Sequence, residues 1–395
     1  MSMYITKAAV AADKKIVLDD MILTTDLPTT GGSKMLEGYK SLFEAEVAVK
    51  LTTAGYGIAG KANVGEFGLD LLGETSGFGV CTADGVLTSA TAEIVKSGDA
   101  MAAVVLDVNG WPRRAAALSS LVYVKPTYGT VSRYGTIPAA CSGETVGVMA
   151  ADAASVREVL SAIVGHDDKD GTSLPEDKCA LLKADAPRDA VKKIAFAKAL
   201  VDLADDETKA LISAFIDKAK GLGIEIVEID AEKLILAKSA WNVLMSAEVC
   251  NNVSRYDGVK FGYRSENYKN IDELYTNSRT EAFGYLTKST ILFGSETLSD
   301  DNYMPVYDKS LRIRRVLCEY MAEILAEYDA ILAPAASKTS FSEAETKENK
   351  YIIYDESVFT APASITGLPT AVFAGVQLIG KAFSENSLLD LAEKF

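Results

Sequence analysis

Residues 101–113 read Met-Ala-Ala-Val-Val-Leu-Asp-Val-Asn-Gly-Trp-Pro-Arg, and the reading of this stretch decides the fold. Met101 to Leu106 is an unbroken apolar run of strand length, suited to a strand covered on both faces. Asn109, Gly110 and Pro112 then supply turn residues, so the strand is expected to end abruptly.

The same grammar recurs outward in both directions. Glu44 to Ala54 places Val47, Ala48 and Leu51 at helical spacing and closes at Gly55, and a short strand is expected over Tyr56 to Ala59. Ala153 to Val164 is an amphipathic helix closed by Gly165, with a strand over Lys192 to Ala197. Helix Glu207 to Lys220, the break Gly221-Leu-Gly and strand Ile224 to Ile229 repeat the unit. The long helix Lys309 to Tyr328 leads into Ala330 to Ala333, a further buried strand that stops at Pro334. Alternation of this kind builds an α/β fold with a sheet covered by helices on both faces. Polar Ser337 to Lys350 is expected to be an exposed loop, and with no repeat or linker in sight residues 1–395 are expected to form one domain.

With 395 residues, 48% of them hydrophobic, the chain can bury a large core. A net charge of −15 argues against a phosphate-binding face, so no direct contact with nucleic acid is expected. The five cysteines are scattered and odd in number, which fits buried thiols in a reducing compartment, and a cytoplasmic location is expected. Neither a signal-peptide core nor a run of membrane-spanning length is found, so no membrane association is expected. The single histidine, His166, excludes histidine-based metal clusters, and no metal or cofactor is expected.

Several blocks carry a family resemblance. Gly32-Ser-Lys-Met-Leu36 matches G-S-K-M-L, and Gly60-Lys-Ala-Asn-Val-Gly-Glu-Phe67 is similar to G-K-T-N-M-D-E-F. Asp107-Val-Asn-Gly-Trp-Pro-Arg113 sits where D-T-G-G-S-I-R is found, followed by Val124-Lys-Pro-Thr-Tyr-Gly-Thr-Val-Ser-Arg-Tyr-Gly135 against L-K-P-T-Y-G-R-V-S-R-Y-G. Gly165 to Ser173, Arg255 to Arg264, Gly367-Leu-Pro and Val376 to Lys381 extend the match in the same order. By these motifs the chain resembles the amidase signature family, and within it the amidotransferase A subunits. The resemblance implies the amidase signature fold, with a large mixed β-sheet, in a chain that is N-terminally truncated relative to the family.

It also implies a Lys/cis-Ser/Ser triad, in which a lysine activates the serine nucleophile through a bridging serine. Aligned on the motifs, those three positions fall on Asp19, Leu87 and Trp111. None can take the role: a carboxylate replaces the base, Leu87 has no hydroxyl, and an indole N–H donates but does not attack. Thr88 is the nearest remnant of the bridging hydroxyl. In the turn that forms the family's oxyanion hole, Asn109 and Gly110 precede Trp111, and Asp107 and Arg113 bracket it as a structural pair. Lys288-Ser-Thr-Ile-Leu-Phe-Gly294 likewise lacks the arginine that the resemblance implies for substrate binding.

Other features read as structural. Lys61 matches a family lysine outside the triad, and the adjacent pairs Ser33-Lys34 and Ser337-Lys338 do not face each other in regular structure. His166 is expected to pair with neighbouring acids, and Cys141 beside Ser142 to be a buried thiol. The first reading is therefore a catalytically inactive homologue acting as a binding or scaffold protein. A second is an amidase or glutamine-dependent amidotransferase component with relocated or partner-supplied catalytic residues. A third is a small-molecule binder reusing the former pocket around Thr88, Asp107, Asn109, Gly110, Trp111 and Arg113. The sequence leaves a protein partner or a homo-oligomer open.

Overall fold

The computed structural model describes residues 3–395. Its strands, in chain order, are β1 (Tyr4–Lys7), β2 (Lys15–Asp19), β3 (Gly57–Ala62), β4 (Thr82–Ala83), β5 (Val86–Leu87), β6 (Ala102–Asp107), β7 (Val122–Lys125), β8 (Thr145–Ala150), β9 (Lys193–Ala197), β10 (Glu225–Ile229), β11 (Ala330–Ala333), β12 (Thr370–Phe373) and β13 (Val376–Gly380). Eleven of them form one mixed sheet in the order β1-β3-β2-β6-β8-β7-β12-β13-β11-β9-β10, while β4 and β5 make a separate hairpin. The two runs singled out from sequence, β6 and β11, lie in this one sheet.

Burial follows position in the sheet. Every residue of β6, β7, β8, β11, β12 and β13 is buried, whereas the edge strand β10 alternates exposed Glu225 and Glu228 with half-buried neighbours. A strand covered on both faces can be wholly apolar, and charges on an edge discourage further pairing. Helices lie over both faces of the sheet. Those that matter for the site are α1 (Glu46–Thr53), α2 (Ala90–Lys96), α3 (Trp111–Ser119), α4 (Ala153–Ile163), α5 (Asp206–Gly221), α6 (Leu236–Val253), α7 (Ile271–Ala282), α8 (Tyr285–Thr297), α9 (Lys309–Glu327) and α10 (Ile352–Thr366).

The expected helix-to-strand units are present with ends shifted by one or a few residues. One shift matters: the strand expected over Tyr56 to Ala59 runs on to Ala62, which carries Lys61 into the sheet, fully buried. A second correction concerns Ser337 to Lys350, which is not simply an exposed loop. Glu343–Glu348 is helical, with the Ser342 hydroxyl accepting from the Glu345 amide at 3.1 Å, and Phe341 is buried. The reason is written in the sequence as Ser342-x-x-Glu345, a helix-start signature. Among the cysteines only Cys179 is buried; Cys141 and the other three are half-buried free thiols.

Candidate functional site

The site is built around the end of β6, where the chain turns sharply into α3. Gly110 caps α3 in the left-handed region at φ 82°, and a Cβ there would come within 2.4 Å of Thr360 on α10. Glycine is required by conformation and by space alike. Pro112 falls in the first helical turn, where its missing N–H costs nothing.

Trp111 opens α3 with its side chain folded back under the turn, 3% exposed, and its Nε1 donates to the Leu106 carbonyl at 3.1 Å. Asp19, at the end of β2, reaches the same residue from the other side. Its carboxylate accepts from the Leu106 amide at 2.6 Å and the Met21 amide at 3.0 Å. Two of the three positions to which the resemblance assigns the triad thus converge on Leu106, as packing and hydrogen-bonding groups. Burial pushes the Asp19 carboxyl up to about 7, against the two amides and Lys61, which pull it down.

Leu87 sits elsewhere. It closes the β4–β5 hairpin, turned by Asp84 and Gly85 at positive φ. A third segment stitches it down: the Leu87 amide donates to Phe341 O at 2.7 Å and the Glu343 amide to Gly85 O at 3.0 Å. Leu87 borders Ala115 and Leu118, about one and two turns along α3 from Trp111, across a cavity of about 80 Å³. Thr88 lines the same small cavity, and its hydroxyl is bonded to the Cys81 thiol at 3.3 Å.

Asp107 and Arg113 form a pair with both side chains fully buried. Arg113 grips the carboxylate through Nε at 2.8 Å and Nη2 at 3.0 Å, and the Gly110 amide and the Tyr123 hydroxyl also donate to it. The remaining guanidinium donors reach the Thr360 carbonyl at 2.7 Å and the Ser364 hydroxyl at 2.6 Å. The pair therefore welds the turn to α10, in the saturated geometry that a buried ion pair needs. Arg114, equally buried, donates to the Asn109 carbonyl at 2.7 Å and the Thr360 hydroxyl at 3.1 Å.

Sequence reasoning missed the most telling neighbour. Trp241 on α6 is completely buried and donates its Nε1 to Asn109 Oδ1 at 3.0 Å, while Asn109 Nδ2 donates to the Leu69 carbonyl at 3.0 Å. Both tryptophans of the chain lie against this one turn. The available signal was their count, together with Gly143, where a Cβ would come within 2.3 Å of the Trp241 ring.

Beneath the turn, Lys61 donates to the Ile22 carbonyl and to Thr29 Oγ1 at 2.9 Å. Burial pulls its ammonium down to about 8 against the opposing pull of Asp20 and Asp19, and burial pushes Asp20 up to about 6. Another carboxylate lies close to a glycine of the motif. At Gly65, where the resembling motif has Asp, a Cβ would lie 2.0 Å from the Asp70 carboxylate, which donors from Thr75 hold there at 2.7 Å. His166 pairs with Asp168 at 3.0 Å, as expected. Among the described residues no group of three or more His, Cys, Asp or Glu is placed to hold a metal ion.

The Amidase family profile matches residues 15–389. The A subunit of glutamyl-tRNA(Gln) amidotransferase from Latilactobacillus sakei is 33% identical over 398 residues, covering 95% of this chain and 81% of that protein. Its counterpart from Thiobacillus denitrificans is 33% identical over 394 residues, with coverage of 95% and 81%. The crystal structure of the glutamyl-tRNA(Gln) amidotransferase A subunit from Thermotoga maritima superposes with a TM-score of 0.80 at 25% identity, over 98% of this chain and 85% of that one.

Proposed function

The chain belongs to the amidase signature family, and from that premise we propose that it is a catalytically inactive homologue of the amidotransferase A subunit, acting as a binding or scaffold protein. One observation carries the reading. Asp19 and Trp111 are both committed to the backbone of Leu106, one accepting from its amide and the other donating to its carbonyl. An indole at the nucleophile position has no hydroxyl for a base to deprotonate and no free lone pair for attack, so a carboxylate at residue 19 has no nucleophile to activate. In the turn that would stabilise an oxyanion, the Gly110 amide is already given to the Asp107 carboxylate at 2.9 Å. Relatives named as components of an amidotransferase make a protein partner the natural setting for such a chain.

The direct test is turnover. Purified protein assayed with glutamine, asparagine and simple aliphatic amides is expected to give no ammonia above a heat-treated control. Loss of the nucleophile alone costs roughly a million-fold in a serine protease. Steady hydrolysis abolished by Thr88→Ala or Ser142→Ala would overturn the reading in favour of relocated catalytic residues.

A further inference from the structure

Away from the buried turn, one surface carries chemistry opposite to the rest of the molecule. Residues 259–264 are exposed without interruption and include Val259, Phe261 and Tyr263, with Tyr268 close behind, each about two-fifths exposed at 40%, 38%, 39% and 40%. The segment is held by its base and not by its tip: the Tyr263 amide donates to Met35 O at 2.7 Å, and Phe261 packs on Tyr39 and Tyr256 with ring centroids 5.9 and 5.8 Å apart. Large apolar side chains presented together on a fixed platform are a recognition feature, whereas isolated ones are ordinary.

The charge around them is the second observation. Lys34, Lys40, Arg255, Lys260, Arg264 and Lys269 lie on the segments that carry these rings and their platform, all exposed, in a chain whose net charge is −15. The partners that the two arginines have are neutral: Arg264 donates to the Tyr268 hydroxyl at 3.1 Å and Arg255 to the Asn252 carbonyl at 2.8 Å. Carboxylates nearby are used by the segment itself. Asp257 accepts from the amides of Val259 and Lys260, and Glu281 from the hydroxyls of Tyr263 and Ser265. Residues 34–40 and 255–269 hold these six cations against the carboxylates of Glu37, Asp257 and Glu266, and at the edge of the segment Glu273 accepts from the Lys269 amide at 2.8 Å. None of the six cations enters an ion pair among the described residues, although nineteen such contacts occur elsewhere.

We infer that residues 255–269, with Lys34 and Lys40, form a docking surface for an acidic protein segment that carries aromatic or aliphatic side chains. The apolar rings supply the desolvated centre of such an interface and the unpaired cations its rim, an arrangement in which the rim sets association rate and salt dependence and the centre sets dwell time. The chain's own acidity favours this occupant over a polyanion such as RNA, because long-range repulsion opposes a dense phosphate backbone while a short acidic segment meets only the local field. The inference rests on the scaffold reading above, since it names the chemistry of what is scaffolded.

The test uses the full chain and a short, fluorescently labelled copolymer of glutamate and tyrosine of peptide length, read by anisotropy at low and at moderate salt. Wild type is expected to bind, and the combined variant Lys260→Glu, Arg264→Glu, Lys269→Glu to bind at least tenfold more weakly, with a flatter salt dependence. The combined variant Lys178→Glu, Lys192→Glu, Lys220→Glu, which reverses three exposed cations elsewhere, is expected to bind within twofold of wild type. Equal binding by wild type and the first variant, or no binding by wild type at low salt, overturns the proposal. So does labelled poly(U) that binds more tightly than the copolymer, or loss of the signal through self-association in sedimentation. Circular dichroism and melting temperature check that each variant is folded. Amide turnover by wild type would refute the scaffold reading while leaving the anisotropy result intact, so the two failures are distinguishable.

Discussion

The turn at residues 107–114 and the surface at residues 255–269 treat polar groups in opposite ways. In the turn, Asp107, Asn109, Arg113 and Arg114 are buried and every one is tied to protein partners. On the surface, the cations are exposed and outside close ion pairs, and aromatic rings are partly exposed. A satisfied, buried network specifies a shape and has few groups left to bind anything more, whereas exposed groups outside ion pairs can still be completed by something else, and the proposed docking surface follows from that difference.

The comparison breaks first if the turn proves tolerant. Asp107→Ala would leave the Arg113 guanidinium buried without its counter-ion, and a loss of about 3–5 kcal/mol is expected by chemical denaturation. Trp111→Ala should cost about the same, as truncation of a buried indole does, and Trp111→Ser should restore no amidase activity because Asp19 and Leu87 remain. An unchanged denaturation midpoint in either variant would mean that the turn is not the welded element described.

Gly65→Ala is a more selective probe. The Gly65 backbone sits at φ −65°, open to any residue, so only the Asp70 carboxylate stands in the way. We expect a loss of about 1–3 kcal/mol from overpacking, relieved in the double variant Gly65→Asp, Asp70→Gly. If the double variant is no more stable than Gly65→Asp alone, the two positions do not exchange a carboxylate.

The pH dependence sharpens the contrast further. Asp19 and Asp20 have folded-state values of about 7 and 6, raised by burial above the ordinary carboxylate value of 3.8. The folded chain therefore holds these protons more tightly than the unfolded one, and stability declines as pH rises from the ordinary value through the folded values. Lys61, lowered to about 8, acts in the opposite sense over a higher window: its contribution grows as pH rises from about 8 toward the ordinary lysine value of 10.5. Lowering the pH from about 7 to about 5 runs through the carboxylate window and stays below the Lys61 window, so the melting temperature should rise over that interval. A melting temperature that falls steadily over that interval would contradict the assigned burial. Smallest of all, Lys260→Glu at the exposed surface should change stability by no more than about 0.5 kcal/mol.

Much of this is legible in the sequence for identifiable reasons. β6 and β11 announce themselves because strands covered on both faces need no alternation, and helix ends lie close to Gly55 and Gly165. The tryptophan at residue 111, where the resemblance implies a serine, is visible as a single letter. What it packs against is not, because Trp241 reaches Asn109 from 132 residues downstream through tertiary structure alone. The glycine at residue 65, where the motif has an acid, is visible in the sequence, but only geometry shows that the Asp70 carboxylate lies against it. Thr88 reads as a neighbour of the old site because chain proximity suggests it, whereas the β4–β5 hairpin directs its hydroxyl to Cys81.

Because both tryptophans of the chain adjoin the same turn, through Trp111 to Leu106 and Trp241 to Asn109, light absorbed by indole alone reports on a single locality in a protein of 395 residues. Excited beyond the absorption of its 17 tyrosines, the protein has no other source of emission, and the spectrum should be blue-shifted with little access to a neutral quencher such as acrylamide. The molecule therefore carries a native optical gauge of whether this turn stays dry. Any partner that pries it open would announce itself by colour before any chemistry was measured.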